Sequence, residues 1–558
     1  MSSDCRRFDE VALTSVSKIG LYFNTIKHLK PSQLFYRVWR KGGGKTRLGF
    51  GYAPNPDVLK ADIRRIPILP ELDFDPSFLG RFDVDAIMRD RIDLLHHEEQ
   101  VDWASCWHEG LSTPLWRFNL HYFEYLLPLA KAYIDTGNKA YLDKAKLILL
   151  AWVEHCPEDK GGVAWDSYTI SMRVVNWLAF YGELQSFLDD DIDFVAAFNG
   201  SLAVQFAHLG QHLEVDLLAN HYLENLKALV ILACYFDDEE TLNFALPKLC
   251  EQVKEQILPD GMHFELSPMY HKIVLEDLMR VAVALRASGY SEAASGGLRL
   301  QDMCDCLYSL ERNANRTPLF NDCGDNVAKS RDALLSCAKR HFGLVPKFKS
   351  VFPDAGYCVL ERETDAGLVK VIFDTGNPGP EYAMGHVHCD ALSFECFIDG
   401  EPWIVNRGTY AYQDESRLEY KKTMSHSTVT VVGEEQHECW APFRVARFGR
   451  GRLEESGDDG AIASFSFSDS ERIVKREIRI TDTSLAVEDT SSGNAIVESA
   501  FIFPFELPHP AGLNVSLCEP IAISEEFGLL KSGCRVVRQA AGSLVTSLDF
   551  LQLRMNIG

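Results

Sequence analysis

The chain has 558 residues, which is too long for one hydrophobic core and predicts two or three domains. Hydrophobic residues make up 46% of it and charged residues 24%, the mix of an ordinary soluble globular protein. The formal net charge of -24 excludes a nucleic-acid-binding protein, which needs a basic surface.

Residues 1–84 are predicted to form an N-terminal strap with a short helix, because prolines recur along them and favour extended chain (Pro54, Pro56, Pro67, Pro70 and Pro76). Residues 1–30 lack the apolar core of a signal peptide, and no stretch approaches the roughly 18 apolar residues of a membrane span. The 15 cysteines are scattered without a CxxC pair, which favours a reducing compartment. We therefore expect a cytoplasmic protein without a membrane span.

Residues 85–345 are predicted to be helical, because apolar side chains recur there at helical spacing. One stripe runs along a single helix face (Tyr141, Leu142, Ala145, Ile148, Leu149 and Trp152). Pro128 lies inside an earlier run and predicts a kink or a break. Successive helices with short breaks indicate a stack of antiparallel helical hairpins.

Residues 346–558 are predicted to be strands, because short β-branched or alternating segments begin near Phe352. Asp399-Gly400 separates two such segments and predicts a tight hairpin. Many short strands at close spacing favour an antiparallel sandwich. The predicted fold class is therefore multi-domain α+β, with a domain boundary between Phe342 and Phe352.

A first polar constellation lies at residues 220–225. His221, Glu224 and Asn225 share one helix face, and Asn220 is suited to cap that helix. A polar row on an otherwise apolar helix needs buried partners or a wet cleft. The row is therefore either a hydrogen-bonded network between helices or part of a binding site.

A second constellation is the loop at residues 260–271. Asp260-Gly261 begins a turn, and Pro268 sets the approach to the next helix. Tyr270 is then expected at a helix start, where the helix dipole favours phenolate. A tyrosine there can give or take a proton, or can simply pack.

A third constellation contains histidines. On a strand, His386 and His388 would point to the same face. A residue from a second strand together with His426 could complete a metal site of imidazole and oxygen ligands. The alternative is that these histidines have hydrogen-bond partners inside the sandwich.

Other side chains are weaker candidates for substrate binding. Two segments place aromatic residues beside polar groups, as sugar subsites do (Trp116, Asn119, His121, Tyr122 and Trp165). Three arginines are suited to carboxylate or sulfate groups (Arg173, Arg417 and Arg444). A GxSxG, P-loop or GxGxxG motif in a βαβ context is missing from the sequence, which excludes α/β-hydrolase, NTPase and Rossmann proteins.

Taken in order, these motifs resemble the heparinase II/III-like polysaccharide lyases over roughly residues 100–450. The resemblance runs through residues 116–122, 220–225, 260–270, 385–390 and 408–410, and then through His426, Trp440 and residues 443–445. Residues 24–40 also resemble the corresponding segment of family members that are found in surface-polysaccharide gene clusters. The family fold implies an incomplete α/α toroid followed by an antiparallel β-sandwich.

The resemblance also implies roles for single residues. Asn220, with His221, would neutralise a uronate carboxylate, and Glu224 would orient that group. Tyr270 would be general base and acid, and His386 its partner from the β domain. The metal-binding positions of the family fall at three residues (His388, Asn406 and His426). Asn406 stands where the family usually has Asp, and a neutral amide is a weaker ligand, so a bound zinc ion is in question.

The resemblance thus predicts an enzyme that cleaves an acidic, uronic-acid-containing glycan by β-elimination, without a required cofactor, in a role linked to surface polysaccharide. Two alternatives remain. A glycoside hydrolase on the same toroid would need two carboxylates across the cleft, with four candidates (Glu124, Asp166, Glu224 and Glu265). A non-catalytic glycan-binding or assembly protein of capsule or O-antigen production would need no proton transfer.

Overall fold

The structure is a computed structural model that describes residues 15–41, 68–108, 112–290, 297–468, 470–506 and 515–550. Pro54, Pro56 and Pro67, on which the predicted strap largely rests, lie outside the described residues. The described helices are too short or too polar to cross a membrane.

The first part of the chain is helical. Its helices, with one more from the second part, are α1 (Ser15–Ile26), α2 (Pro31–Lys41), α3 (Pro70–Asp73), α4 (Pro76–Leu79), α5 (Val84–Met88), α6 (Pro114–Tyr122), α7 (Leu126–Thr136), α8 (Lys139–His155), α9 (Ser167–Leu188), α10 (Ile192–Gln211), α11 (Ala219–Phe236), α12 (Glu239–Gln256), α13 (Pro268–Ala287), α14 (Leu300–Glu311), α15 (Arg331–Phe342) and α16 (Arg417–Lys421).

Local sequence signals explain several helix ends. Asn138 and Asp166 cap α8 and α9 by accepting hydrogen bonds from backbone N–H groups of the first turn. The break predicted at Pro128 falls five residues earlier, where Phe123 has a φ of 65° and separates α6 from α7. Pro128 therefore lies in the first turn of α7, where its missing N–H costs no helical hydrogen bond.

The second part is built from strands. The strands, preceded by a small hairpin in the first part, are β1 (Arg91–Leu94), β2 (His97–Gln100), β3 (Val351–Phe352), β4 (Tyr357–Thr364), β5 (Gly367–Asp374), β6 (Phe394–Ile398), β7 (Glu401–Ile404), β8 (Val429–Val431), β9 (His437–Ala441), β10 (Arg444–Phe448), β11 (Arg450–Ser456), β12 (Gly460–Ser466), β13 (Ile473–Ile480), β14 (Ser484–Ser491), β15 (Ile496–Phe503), β16 (Leu517–Ile523), β17 (Lys531–Ala541) and β18 (Ser543–Asp549).

Three antiparallel sheets share one apolar core in this second part. Their strand orders are β3-β4-β5-β6-β7, β11-β12-β13-β14-β18 and β16-β17-β15-β8. The predicted hairpin is present, with Asp399 and Gly400 at positive φ between β6 and β7. A helical part followed by antiparallel sheets confirms the multi-domain α+β fold class.

The two parts meet through apolar contacts and hydrogen bonds. One mixed cluster joins the loop before α13 to strands β4–β6, and the Tyr357 hydroxyl donates to the Leu266 carbonyl at 2.6 Å. A second cluster joins the start of α13 to Phe527 and Tyr412 of the β-rich part. Because Tyr270 belongs to this second cluster, the junction positions the candidate active site.

The α1–α2 hairpin connects both parts on one side of this junction. From α1, Thr25 accepts a hydrogen bond from the Trp440 indole at 3.0 Å and donates to the Val445 carbonyl at 3.3 Å. From α2, the buried Gln33 amide donates to the Leu217 carbonyl of the helical part at 3.2 Å and to the Tyr382 carbonyl at 3.4 Å.

Candidate active site

Tyr270 and His386 face each other across the junction. Ser267 caps α13 and Pro268 opens it, which places Tyr270 in the first turn. His386 ends a single 3-10 turn, Met384–His386, in the connection between β5 and β6. The two ring centroids are 4.5 Å apart, and Tyr270 is only 7% exposed. Two residues far apart in the chain thus meet where the helical and β-rich parts join, a place that we call the groove.

The prediction that His386 and His388 lie on a strand is wrong, because the 3-10 turn and the loop after it replace the strand. The two imidazoles nevertheless converge on one carboxylate. His386 Nδ1 is 2.7 Å from Asp322 Oδ2, and His388 Nε2 is 2.8 Å from Asp322 Oδ1.

Asp322 is the fully buried centre of this network. Arg417 spans both of its carboxylate oxygens with two guanidinium nitrogens. Burial opposes the charged carboxylate, but Arg417 and the hydrogen bonds from His386 and His388 hold the pKa of Asp322 well below its usual range. The carboxylate is therefore ionised and fixes His386 through Nδ1, which directs Nε2 toward the groove.

His388 has a structural part in the same network. Burial lowers the pKa of its imidazole to about 4, although the hydrogen bond to Asp322 opposes the shift. The ring is therefore neutral at ordinary pH and donates from Nε2 to Asp322.

Tyr412 is the hydrogen-bond partner of Tyr270, with the two hydroxyl oxygens 2.8 Å apart. Its own ring packs 5.0 Å from Phe527 and 5.7 Å from Phe443. Burial, the neighbouring Tyr412 and the charge of Asp322 raise the pKa of Tyr270 well above its usual value. Tyr270 thus carries its proton at neutral pH.

Asn220 lies beside this pair, in the first turn of α11. It does not cap the helix as predicted, because Leu218 takes the cap position without a side-chain hydrogen bond. The Asn220 backbone N–H instead donates to the carboxylate of Glu265, whose charge also interacts with His386. The Asn220 side chain is 4% exposed, and its amide oxygen has no hydrogen-bond partner, which leaves the amide for a ligand.

His221 completes the helical wall of the groove. Its Nδ1 is 3.0 Å from Glu214 Oε1, and its ring lies 4.7 Å from the ring of Tyr168. Burial disfavours the imidazolium, but the hydrogen bond and charge of Glu214, with Asp166, raise the pKa of His221 above its usual value. A partly exposed imidazolium here can bind an anionic group.

Glu224 does not orient this group, because it pairs elsewhere. Its carboxylate contacts Lys227, which also binds Asp277 of α13 at 2.7 Å. All three side chains are buried, so Glu224 belongs to a charged network inside the helical part. Glu214 holds His221 instead, and it also accepts a hydrogen bond from Asn225 at 3.0 Å.

Most of the side chains predicted to form sugar subsites are buried in the helical core or bound to other residues. The Trp116 indole donates to the His97 carbonyl, and His121 accepts from the Trp152 indole at 3.0 Å. The Trp165 indole donates to the Cys156 carbonyl. Arg173 donates to Gln205, and Arg417 binds Asp322.

Three predicted substrate-binding residues keep some exposure. Tyr122 packs 6.1 Å from the Tyr168 ring and extends the aromatic wall beside His221. Asn119 lines a small neighbouring cavity with Phe527. Arg444 lies over the rings of Tyr22 and Trp440.

The three predicted metal positions converge but fit a cation poorly. The His388 and His426 rings are 5.2 Å apart, and burial lowers the pKa of His426 well below its usual value. His388 Nδ1 lacks a hydrogen-bond partner, which leaves a nitrogen for a metal. The Asn406 amide oxygen, however, already accepts from the Ser427 N–H at 3.0 Å. Among the described residues, His, Cys, Asp and Glu side chains do not form a group of three that could hold a metal ion.

Sequence reasoning missed Asp322, Tyr412, Glu214 and Glu265 as parts of the site. Asp322 reaches partners that lie 64, 66 and 95 positions further along the chain, so spacing carries no signal for it. Residues 260–271 form the second polar constellation of the sequence analysis. Within them, Glu265 is a candidate only for the hydrolase alternative.

Solved structures share the fold of this chain. The structure of heparinase III matches at a TM-score of 0.63 and 15% identity, over 94% of this chain and 93% of that one. A mutant of the heparan sulfate lyase HepC from Pedobacter heparinus matches at a TM-score of 0.56 and 18% identity, over 89% of this chain and 85% of that one. These likenesses show the fold, a helical part joined to antiparallel sheets.

The chain belongs to the heparinase II/III-like family. The profile described as Heparinase II/III N-terminus matches residues 82–349, and the profile described as Heparinase II/III-like, C-terminal, matches residues 346–549. A heparin-sulfate lyase of Pedobacter heparinus is 24% identical over 353 residues, which is 56% of this chain and 52% of the relative. One of Bacteroides thetaiotaomicron is 20% identical over 407 residues, 63% of this chain and 57% of the relative. The chain thus spans about half the length of the curated relatives it matches.

Proposed function

We propose that the protein is a polysaccharide lyase that cleaves a uronic-acid-containing glycan by β-elimination. The observation that carries this proposal is the 4.5 Å separation of the Tyr270 and His386 rings, with Asn220 beside them in one groove. β-Elimination needs a base near C5 of the uronate and an acid near the 4-O leaving group. It also needs groups that offset the negative charge of the substrate carboxylate.

The raised pKa of Tyr270 and the hydrogen bond between His386 and Asp322 favour different roles for the two residues. His386, fixed by Asp322, takes the C5 proton on Nε2. The electron pair of that C–H bond forms the C4–C5 double bond as the C4–O4 bond breaks. Tyr270 keeps its proton because burial raises its pKa, and it donates this proton to the leaving oxygen.

Asn220 and His221 are suited to the substrate carboxylate. The Asn220 amide donates a hydrogen bond, and the raised pKa of His221 favours the imidazolium. Both offset negative charge that spreads onto the carboxylate when C5 loses its proton.

The charges of the groove favour a glycan with few sulfate groups. The curated relatives are named heparin-sulfate lyases, which makes a sulfated glycosaminoglycan the first substrate to test. Arg173 and Arg417, however, are buried, and Arg417 is bound to Asp322. Neither arginine is therefore placed to bind a sulfate group, so an unsulfated uronate polymer, such as one made for a cell surface, fits this groove better.

The two alternatives have less support. Of the hydrolase carboxylates, Glu124 is bound by Arg81 at 2.7 Å and Glu224 is buried against Lys227. A non-catalytic glycan-binding protein would not need the Asp322 network that fixes His386.

The test is a screen of the purified protein against sulfated and unsulfated uronate glycans, followed at the ultraviolet absorbance of the unsaturated product. Tyr270→Phe is expected to lower kcat about 10²- to 10⁴-fold with a small change in KM, because it removes one proton donor. Tyr141→Phe, on a half-buried tyrosine of α8, is the matched control and should keep full activity. New reducing ends without the absorbance would instead establish a hydrolase.

A further inference from the structure

The α1–α2 hairpin presents apolar side chains to solvent. On α1, Ile19 and Phe23 are each 68% exposed and share one face. On α2, Phe35 is 57% and Val38 73% exposed. Soluble proteins rarely expose so many large apolar side chains on two short helices, and the described part of the chain leaves these four uncovered, so they mark an interaction site.

The opposite faces of both helices are anchored, which fixes the direction of the apolar surface. Leu21 of α1 is buried, and Thr25 bonds with Trp440 and Val445. Gln33 of α2 is buried against carbonyls of both parts of the molecule. The exposed side chains therefore point away from the body of the protein.

The charge of this hairpin is opposite to that of the whole chain. The chain carries a net charge of -24, yet residues 15–41 contain no Asp or Glu. Their charged residues are all Lys or Arg (Lys18, Lys27, Lys30, Arg37, Arg40 and Lys41). Lys30 pairs with Glu255 and Arg37 interacts with Asp216 of the body, whereas Lys18 and Lys27 are exposed. An apolar face rimmed by cations is complementary to a bilayer surface that contains anionic lipids.

We propose that the α1–α2 hairpin, residues 15–41, docks on the surface of a membrane that contains anionic lipids. Phe23, Phe35 and their neighbours enter the headgroup region, and the exposed cations contact lipid phosphates. The helices have 12 and 11 residues, so they lie on the membrane and do not cross it. The negatively charged remainder of the chain is repelled by the same lipids, which orients the hairpin toward the bilayer.

Docking does not depend on the proposed lyase activity, but it has a consequence for it. The same hairpin contacts the wall that carries Asn220 through Leu217 and the wall that carries His386 through Tyr382. The groove would therefore work close to the membrane surface.

The test is co-sedimentation of the full chain with two kinds of vesicle, phosphatidylcholine alone and phosphatidylcholine with about 30% phosphatidylglycerol. The protein should sediment with the anionic vesicles, bind them less at high salt and leave the neutral ones unbound. Phe23→Ser with Phe35→Ser should lower the partition coefficient about tenfold or more, because two apolar anchors are lost. Lys18→Glu with Lys27→Glu should lower it as well.

Ile192→Ser is the matched control, because Ile192 is 77% exposed on α10, outside the hairpin. It should bind vesicles like the wild type. An unchanged thermal midpoint in each variant establishes that the fold is intact. The proposal is overturned if neither vesicle binds, if the hairpin variants bind like the control, or if the wild type is a dimer that the Phe23→Ser, Phe35→Ser variant dissociates, which would assign the surface to a second copy.

Discussion

At the residue scale, one carboxylate organises the β wall of the groove. Asp322 holds His386, His388 and Arg417 at once. Asp322→Asn should lower kcat about 10²- to 10³-fold and leave KM nearly unchanged, because His386 loses its orientation and the imidazolium its counter-charge. Initial rates of unsaturated-product formation measure this effect.

Asp332→Asn is the control for this substitution, because Asp332 is exposed at the start of α15. It should leave kcat and KM unchanged. A rise in KM with unchanged kcat for Asp322→Asn would mean that Asp322 only supports substrate binding.

The same carboxylate predicts a pH dependence of stability. The pKa of Asp322 is held well below that of an unfolded aspartate, about 3.9, by Arg417 and the two histidines despite its burial. The contribution of Asp322 to the free energy of unfolding is therefore complete above the pKa of the unfolded state. It is lost as the pH falls toward the lower pKa of the folded state. The difference in free energy of unfolding between wild type and Asp322→Asn should be constant from about pH 5 to 7 and shrink below about pH 4. Urea titrations over this range check it; a difference that grows on acidification would contradict it.

Metal independence is a further residue-scale prediction. His388, Asn406 and His426 offer only neutral donors, and the nearby charges of Arg417 and Arg407 repel a dication. Dialysis against a chelator should change neither the thermal midpoint nor kcat. Loss of activity that added zinc restores would show that the imidazoles hold a required ion.

Sequence motifs pointed to Tyr270, His386 and Asn220 because each stands in a short recognisable segment. Asp322 and Tyr412 gave no such signal, since their partners are distant in the chain. The sequence predicts Arg417 as a substrate ligand, because a sequence does not distinguish an arginine paired with a buried carboxylate from one that faces solvent.

At the element scale, a buried ion pair joins neighbouring strands. Arg476 of β13 binds Asp489 of β14 at 2.7 Å and donates to the carbonyls of Leu392 and Ser427. Arg476→Met should lower the free energy of unfolding by about 3–5 kcal/mol, because Asp489 becomes a buried charge without its partner. Chemical denaturation measures the loss.

Arg479→Met on the same strand is the matched control. Arg479 pairs with Glu477 in solvent, and such pairs contribute below about 1 kcal/mol. Adding Asp489→Leu to Arg476→Met should restore part of the stability. Equal losses for the two single variants would refute a special role for the buried pair.

Element types followed from the sequence where one local cause dominates. Asp399-Gly400 gave the β6–β7 hairpin because a two-residue turn needs positive φ at both positions. The spacing of His386 and His388 predicts a strand, but the same short segment can also form a 3-10 turn. The structure has the turn. Its conformation depends on Asp322, a tertiary partner.

At the scale of the whole molecule, a glycine sets how closely the two parts approach. Gly528 has a φ of +80°, and a Cβ there would lie 2.1 Å from the Leu95 carbonyl oxygen of the helical part. Gly528→Ala should lower both the thermal midpoint and kcat/KM, because it displaces Phe527 from Tyr412.

Gly493→Ala separates this effect from backbone strain. Gly493 has a φ of +74°, and a Cβ there would meet nothing within 4 Å. It should cost about 1–2 kcal/mol of stability and leave kcat/KM unchanged. If both variants lose activity equally, the approach of Gly528 to Leu95 has no part in shaping the groove.

Gln33 has a consequence for how the protein is produced. Its single carboxamide reaches carbonyls on the Leu217 side and on the Tyr382 side of the groove. A chain that begins after residue 41 keeps the two large hydrophobic clusters and is expected to fold, but the two walls lose the hydrogen bonds of Gln33 that join them. Such a shortened enzyme would be obtained in good yield and would turn over slowly, so yield is a poor guide to a competent preparation.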